Sequence, residues 1–431
     1  MSKLTIAEKL NRKKTGLPPA VLYWPLLKIW QLIFNRKLGV KFTYNAHPNK
    51  EKGPYVLISN HASRVDYLFT APAVFPHRLN YVVGYNEFYR SHLSLILSIM
   101  QVIPKRNFTP DVHAIREIKR VIKKGGRVCF MPEGMSSISG GNQPSALGTG
   151  KLLKHLGVPV YYTVISGGYL TYTKHCLDER PGKVEITVDR LFTAEDLKTL
   201  SPDEIQAKVD EAIRHDDYEW NLTAKASFDG KGEMAKNFGD LLYLCPRCGA
   251  KFTMKGEGDR LVCSECGNGA TIDNRYTLTP LDDDCVIPET VSKWYALERE
   301  RAKQDVSDPD FSYSEKVKLG TLPKYKTLKN QETSIVTGEG VLSISREGLK
   351  FSGTNNGEPF EFSMPTDLVP TYGMCTDITR FYTFCDNEFY EFYPERNDVM
   401  YWFHVTEELH RANGGKWKYA DSYLNKEDAT V

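Results

Sequence analysis

Two Cys-x-x-Cys-Gly segments, Cys245–Gly249 and Cys263–Gly267, stand 14 residues apart. They constrain the chain more tightly than any other feature. Two thiol pairs at this spacing can converge on one tetrahedral ion, and four thiolates are the ligand set of a structural zinc ribbon. The glycine after each pair allows the tight turn that aims backbone N–H groups at sulfur. Between the pairs, Lys251–Val262 reads as a hairpin turning at Gly256-Glu257-Gly258-Asp259. Four thiolates leave no open coordination position. Cys245, Cys248, Cys263 and Cys266 are therefore expected to hold zinc for structure, not for catalysis. Cys129, Cys176, Cys285, Cys375 and Cys385 are isolated and read as packing residues. Scattered thiols beside a metal site fit a reducing compartment better than a disulfide framework.

A ribbon over 241–280 leaves most of the 431 residues to other cores, and a chain of this length divides into two or three domains. Residues 1–220 alternate apolar runs with amphipathic ones. Strands are expected at Tyr55–Ser59, Leu79–Gly84, Gly126–Met131, Val158–Ile165 and Lys183–Asp189. Helices are expected at Pro25–Lys37, Val65–Ala71, Ser94–Met100, Pro110–Lys123, Ser145–Leu156 and from Ser201 onward. This alternation argues for an α/β domain with a mostly parallel sheet. Residues 221–240, rich in Lys, Gly and Asp, read as a linker, and 281–330 as a second linker with a helix around Val291–Lys303. Over 331–431 the period becomes two. VLSISREGLKFSG turns at Arg346-Glu347-Gly348, FYTFCDNEFYEFYPE turns at Asp386-Asn387, and Val399–Ala412 reads as a closing helix.

The N-terminus is polar and basic, without the apolar core of an export signal. Residues 155–173 carry no charged side chain, but their Gly, Pro, Tyr and Thr content reads as a buried strand with its turns. The stretch Val21–Phe34, inside an expected helix over 18–37, is interrupted by Pro25, Lys28 and Gln31 and is too short to span. Trp24, Trp30, Arg36 and Lys37 around it suit an interfacial position, although a helix docked on its own domain has the same periodicity. The 56 basic and 54 acidic residues leave a net charge of +2, which argues against a nucleic-acid partner. Locally, Lys105–Arg127 holds eight Lys or Arg against Asp111 and Glu117, a patch suited to a phosphate or a lipid headgroup.

The strand at Tyr55–Ser59 runs into Asn60-His61-Ala62-Ser63-Arg64-Val65-Asp66. Positions five apart diverge by about 140° along a helix, so His61 and Asp66 meet only if His61 precedes the helix. Ser63 would be its N-cap and Asp66 would lie in the first turn of a capping box. Asp66 could then orient His61, and His61 could take a proton from a hydroxyl. A capping box with an incidental His is the alternative. Glu133, between Pro132 and Gly134 at the end of another apolar strand, falls where α/β sheets place their ligand crevice; a plain turn is the alternative there.

NHASRVD, IPKR, FMPEG and GVPVYYTVI, in this order, resemble the four motif blocks of the glycerolipid acyltransferase family, which includes 1-acylglycerol-3-phosphate acyltransferases. The resemblance covers about 52–190. It implies transfer of an acyl group from acyl-CoA or acyl carrier protein to the hydroxyl of a lysophospholipid or related glycerolipid at a membrane surface. It makes His61 the general base, Asp66 its orienting partner, and Lys105, Arg106, Glu133 and Gly134 acceptor-side residues. Two departures stand out. Met135-Ser136-Ser137 replaces the family's Thr-Arg-Ser, so a serine occupies the place of the phosphate-gripping arginine, and Met100 replaces a glycine. A hydroxyl cannot replace a guanidinium fork, which argues against lysophosphatidic acid as the acceptor and leaves a different lysophospholipid or another lipid alcohol.

The β-rich domain resembles a pleckstrin-homology-like or similar small β-barrel module, which implies lipid or protein docking; the ribbon is a second candidate for a protein partner. These readings together imply a cytoplasmic protein, peripheral on the inner face of the cell membrane. A non-catalytic lipid-binding scaffold and a thioesterase-type hydrolase are the alternatives to a transferase.

Overall fold

The computed structural model describes residues 3–329, 332–374 and 377–417, with the side chains of 34–36 excepted. Cys375 and the chain beyond 417 lie outside the described residues. Seven strands form the N-terminal sheet: β1 (Lys41–Tyr44), β2 (Val56–Ser59), β3 (Leu79–Gly84), β4 (Ile103–Lys105), β5 (Arg127–Phe130), β6 (Val160–Ser166) and β7 (Glu185–Phe192). Their order is β1-β7-β6-β2-β5-β3-β4. Only β6 and β7 pair antiparallel; the other pairings are parallel. The expected mostly parallel sheet is therefore present.

Helices α1 (Ile6–Arg12), α2 (Ala20–Leu38), α3 (Tyr67–Ala73), α4 (Ser91–Ile99), α5 (Val112–Lys123) and α6 (Thr149–Leu156) accompany these strands. Period-two alternation sorts the central strand β2 between two layers. Val56 and Ile58 face one core with Ile118 and Val121 of α5, Leu153 of α6 and Ile205 of the helix Pro202–Ala212. Tyr55 and Leu57 face the other core with Leu38 of α2 and Phe69 of α3. Asp111 caps α5 by accepting from Ala114 N–H at 3.0 Å. Both faces of β2 are sealed, so truncating Leu57 to Ala would cost about 2–5 kcal/mol. Strands β1 and β4 were not expected. Each is an edge strand of three or four residues, too short to show a period, and Pro104 sits in β4, where an edge tolerates it.

A four-stranded antiparallel sheet follows: β8 (Met254–Glu257), β9 (Arg260–Cys263), β10 (Gly269–Ile272) and β11 (Leu278–Pro280). The third sheet comprises β12 (Ser312–Thr321), β13 (Ile335–Ser345), β14 (Gly348–Asn355), β15 (Glu358–Met364), β16 (Phe381–Cys385) and β17 (Glu388–Pro394), in the order β15-β14-β13-β12-β17-β16. Both expected hairpins form. Asp386 and Asn387 adopt φ values of 50° and 67°, the left-handed pair that a two-residue turn between twisted strands requires. The closing helix spans Val399–Ala412 and packs on the helix Val291–Asp305. There Arg299 pairs with Glu407 at 2.5 Å, buried.

The stretch 221–240 is packed rather than solvated. Phe228, Met234 and Phe238 are fully buried in one core with Trp294 and Trp402, and this core also takes in Met135, Ile138 and Tyr169 of the N-terminal domain. The Lys, Gly and Asp residues around these three side chains mask them in a composition count. The C-terminal sheets are thus bonded to the first through apolar surface.

Candidate active site and metal centre

The turn after β2 is built by side chains reaching back to the backbone. Asn60 at the strand end bridges β6, donating to Ile165 O at 2.9 Å and accepting from Ile165 N–H at 2.8 Å. His61 follows at once. Its Nδ1 lies 2.8 Å from Asp66 Oδ2, and Asp66 Oδ1 accepts from Ser63 N–H at 2.9 Å and from Ser63 Oγ at 2.8 Å. Ser63 was expected to cap the helix. The Ser63–Asp66 contacts do form, but as a turn ahead of α3, which begins at Tyr67. With one oxygen committed to Ser63 and the other to His61, Asp66 holds 63–66 in the turn and delays the helix.

Asp66 is fully enclosed, whereas the His61 side chain keeps 23% of its surface exposed. Burial pushes the Asp66 carboxyl up from its ordinary value, against the lowering effect of the His61 and Ser63 donors. The Nδ1–Asp66 bond puts the imidazole proton on Nδ1 and leaves the Nε2 lone pair as the basic edge.

The loop after β5 clamps the backbone of His61 on both sides. Glu133 Oε1 accepts from His61 N–H at 2.7 Å, and Ser137 N–H donates to His61 O at 2.7 Å. Glu133 also accepts from Asn142 Nδ2 at 2.9 Å and from Gln143 N–H at 2.7 Å. Burial raises the Glu133 carboxyl to about 7 despite these donors. Expected on the acceptor side, Glu133 points inward here, with both oxygens occupied. Gly134 takes a left-handed φ of 73°, which turns the loop.

The second expected pair is partly engaged. Lys105 Nζ donates to Arg106 O at 2.9 Å, and burial lowers its pKa. The Arg106 guanidinium lies 4.3 Å from the Tyr85 ring centroid and donates to Asn11 Oδ1 at 3.2 Å, while the Arg106 backbone N–H donates to Asp111 Oδ2 at 2.8 Å. Next to it, Asn107 Nδ2 donates to Gly134 O at 2.8 Å and so ties this loop to the Glu133 loop. Arg116 and Lys123 of α5 face solvent.

Sequence reasoning missed one lysine. Lys174 is buried and its Nζ donates to Ser136 Oγ at 3.2 Å. A lysine amine thus stands beside the serine, supplied from 38 residues further along the chain. No spacing pattern links the two positions.

The four expected metal ligands converge. The sulfurs of Cys245, Cys248, Cys263 and Cys266 lie within 4.8 Å of one another. Cys245–Cys266 and Cys248–Cys263 are 3.6 and 3.9 Å apart, against about 3.8 Å for the edge of a tetrahedron with 2.3 Å metal–sulfur bonds. Gly249 and Gly267 adopt φ values of 71° and 74°. Their N–H groups donate to Cys245 O and Cys263 O, closing each knuckle. The set could chelate a metal ion.

Residues 41–166 match the acyltransferase family. His61, Asp66, Lys105, Arg106, Glu133 and Gly134 all lie inside this span, whereas Lys174, the cysteine cluster and the C-terminal sheets lie outside it. Among solved structures, the chain is similar to the 1-acyl-sn-glycerophosphate (LPA) acyltransferase PlsC from Thermotoga maritima, with 19% identity over 44% of this chain and 76% of that one, and a TM-score of 0.38. No curated protein matches the chain. The span that matches the acyltransferase family thus takes in strands β1–β6 of the N-terminal sheet.

Proposed function

We propose that this protein transfers an acyl group from a thioester, acyl-CoA or acyl carrier protein, to the hydroxyl of a lysophospholipid or related glycerolipid. The observation that carries this reading is the His61–Asp66 pair: 2.8 Å apart, the carboxylate enclosed, the imidazole open on its other edge. His61 Nε2 takes the proton of the acceptor hydroxyl as its oxygen attacks the thioester carbonyl. The tetrahedral intermediate then breaks its carbon–sulfur bond. The imidazolium, stabilised by Asp66, returns the proton to the leaving sulfur. The products are the acylated lipid and a free thiol.

Zinc at Cys245, Cys248, Cys263 and Cys266 is assigned a structural role, since a four-thiolate set is closed to substrate. Contact with the inner face of the membrane is assigned to α2, where Val21, Leu22, Trp24, Ile29, Leu32 and Ile33 are exposed. Leu95, Ile96 and Ile99 of the helix Ser91–Ile99 are exposed as well. Among the described residues no helix is long and apolar enough to cross a membrane, and apolar side chains interspersed with Trp suit an interfacial position. The six-stranded antiparallel sheet, in which the hairpin β16–β17 adds to the meander β12–β15 beside β12, and the helix Val399–Ala412 that follows it support the reading of a pleckstrin-homology-like module.

The test is an acyl-thioester assay across lysophospholipids and uncharged lipid alcohols. Thiol release that depends on one class of acceptor supports the transferase. Release at the same rate without any lipid overturns it in favour of a hydrolase.

A further inference from the structure

The loop that clamps His61 is itself held from outside the family-matched span. Asn107 Nδ2 donates to Gly134 O at 2.8 Å and also to Tyr382 Oη at 3.3 Å, so one amide joins the loop to strand β16. Lys174 Nζ donates to Ser136 Oγ at 3.2 Å and to Met374 O at 3.4 Å. The Phe108 ring lies 3.5 Å from where a Cβ on Gly134 would stand, and it meets Trp417 edge-on at a centroid distance of 5.7 Å. Three C-terminal residues, Met374, Tyr382 and Trp417, therefore close on residues 134–136 through single intermediaries.

Tyr382 is seated for this contact. Its backbone exchanges two 2.8 Å hydrogen bonds with Gly373. Its ring crosses Gly373 so closely that a Cβ there would come within 2.0 Å of Cζ. Phe389 backs the ring at 4.8 Å. A glycine opposite the ring, a phenylalanine behind it and an amide at its hydroxyl fix where Oη points.

We propose that the C-terminal β-rich domain is a positioning element of the acyl-transfer site, with Tyr382 and Asn107 as positioning residues. They hold Gly134. The 133–137 loop in turn holds His61 N–H through Glu133 and His61 O through Ser137. The imidazole inherits its place from that backbone. Displacement of a catalytic group by about 1 Å costs on the order of a hundredfold in rate, so loosening the chain of contacts slows the chemistry without touching the reacting atoms. The catalytic consequence rests on the acyl-transfer reading; the mechanical linkage does not.

The experiment uses the full chain and two readouts: acyl-transfer kinetics, and amide exchange of His61 and of residues 134–137. Tyr382→Phe removes the hydroxyl. Gly373→Ala keeps it but displaces the ring. Asn107→Ala removes the shared amide. Asn387→Gly, at the hairpin tip with φ 67°, is the control. Each of the three variants should lower kcat by about five- to twentyfold, leave KM for the thioester within about twofold and speed exchange of the loop amides. The Tyr382→Phe, Asn107→Ala double variant should lose no more than Asn107→Ala alone, because both act through one contact. The control should change neither readout. Unchanged kcat or unchanged exchange in Tyr382→Phe overturns the proposal, as does additive loss in the double variant or an equal loss in the control. A wild-type chain that acylates no acceptor removes the acyl-transfer reading itself; an active wild type with an unaffected Tyr382→Phe removes only the positioning claim.

Discussion

Replacing Asp66 by Asn inverts the chemistry of the site while preserving its volume. In the native protein Oδ1 accepts two hydrogens from Ser63 and Oδ2 accepts one from His61. An asparagine has one oxygen and one NH2 to distribute. Two donors at the Ser63 side demand the oxygen, which leaves the NH2 facing His61 Nδ1. The imidazole must then accept at Nδ1 and carry its proton on Nε2. The edge that should take the hydroxyl proton becomes a donor. Inversion of the catalytic histidine tautomer lowers kcat by about 10³- to 10⁴-fold, or about 4–5.5 kcal/mol of barrier. The assay is steady-state acyl transfer with the best acceptor, alongside a thermal melt and zinc analysis. The melt and the zinc content should stay close to wild type, because the turn keeps its Ser63 bonds. A kcat within tenfold of wild type would refute the reasoning, as would a loss of rate that follows unfolding.

Glu133, raised from 4.5 to about 7 by burial, is neutral in the folded chain over a range where the unfolded chain ionises it. Its contribution therefore favours folding at low pH and is lost as pH rises from about 4.5 to 7, by about 3 kcal/mol. The unfolding free-energy difference between wild type and Glu133→Gln should shift by that amount across the window in denaturant titrations; a constant difference contradicts it. Purified protein should contain about one zinc per chain, and Cys245→Ser with Cys248→Ser should abolish it and lower the melting temperature. Native protein without metal removes the zinc assignment. Ile29→Glu with Leu32→Glu should weaken sedimentation with anionic vesicles tenfold or more, since each buried apolar side chain contributes about 1.5–3 kcal/mol. The melting temperature should hold, because both residues are exposed; unchanged vesicle binding argues against α2 as the docking helix.

What was legible in the sequence was whatever a local pattern encodes. The hairpin at Asp386-Asn387 and the helix Val399–Ala412 depend on neighbours in the chain and could be read from them. The convergence of the four cysteines followed from spacing, and the meeting of His61 with Asp66 followed from placing His61 before a helix. The capping geometry was misread because Asp66 serves two partners, which a capping-box pattern does not show. Features set by distant partners were not legible. The inward turn of Glu133 depends on Asn142 and Gln143, the amine beside Ser136 comes from Lys174, and the grip on Gly134 comes from Asn107 backed by Tyr382. Strands β1 and β4 lie at sheet edges, where burial imposes little pattern. Residues 221–240 hid their three core side chains among charged and flexible ones.

The central claim is that His61, held by Asp66, moves the proton of an acceptor hydroxyl during acyl transfer. The most direct measurement is mass-spectrometric detection of acylated lipid formed from a labelled acyl thioester by wild type and by His61→Ala, at matched folded concentration. The account predicts acceptor-dependent product with wild type and, with His61→Ala, a rate reduced by about 10³-fold or more in a chain that keeps its melt and its zinc. Product formed by His61→Ala at a rate near wild type would contradict it.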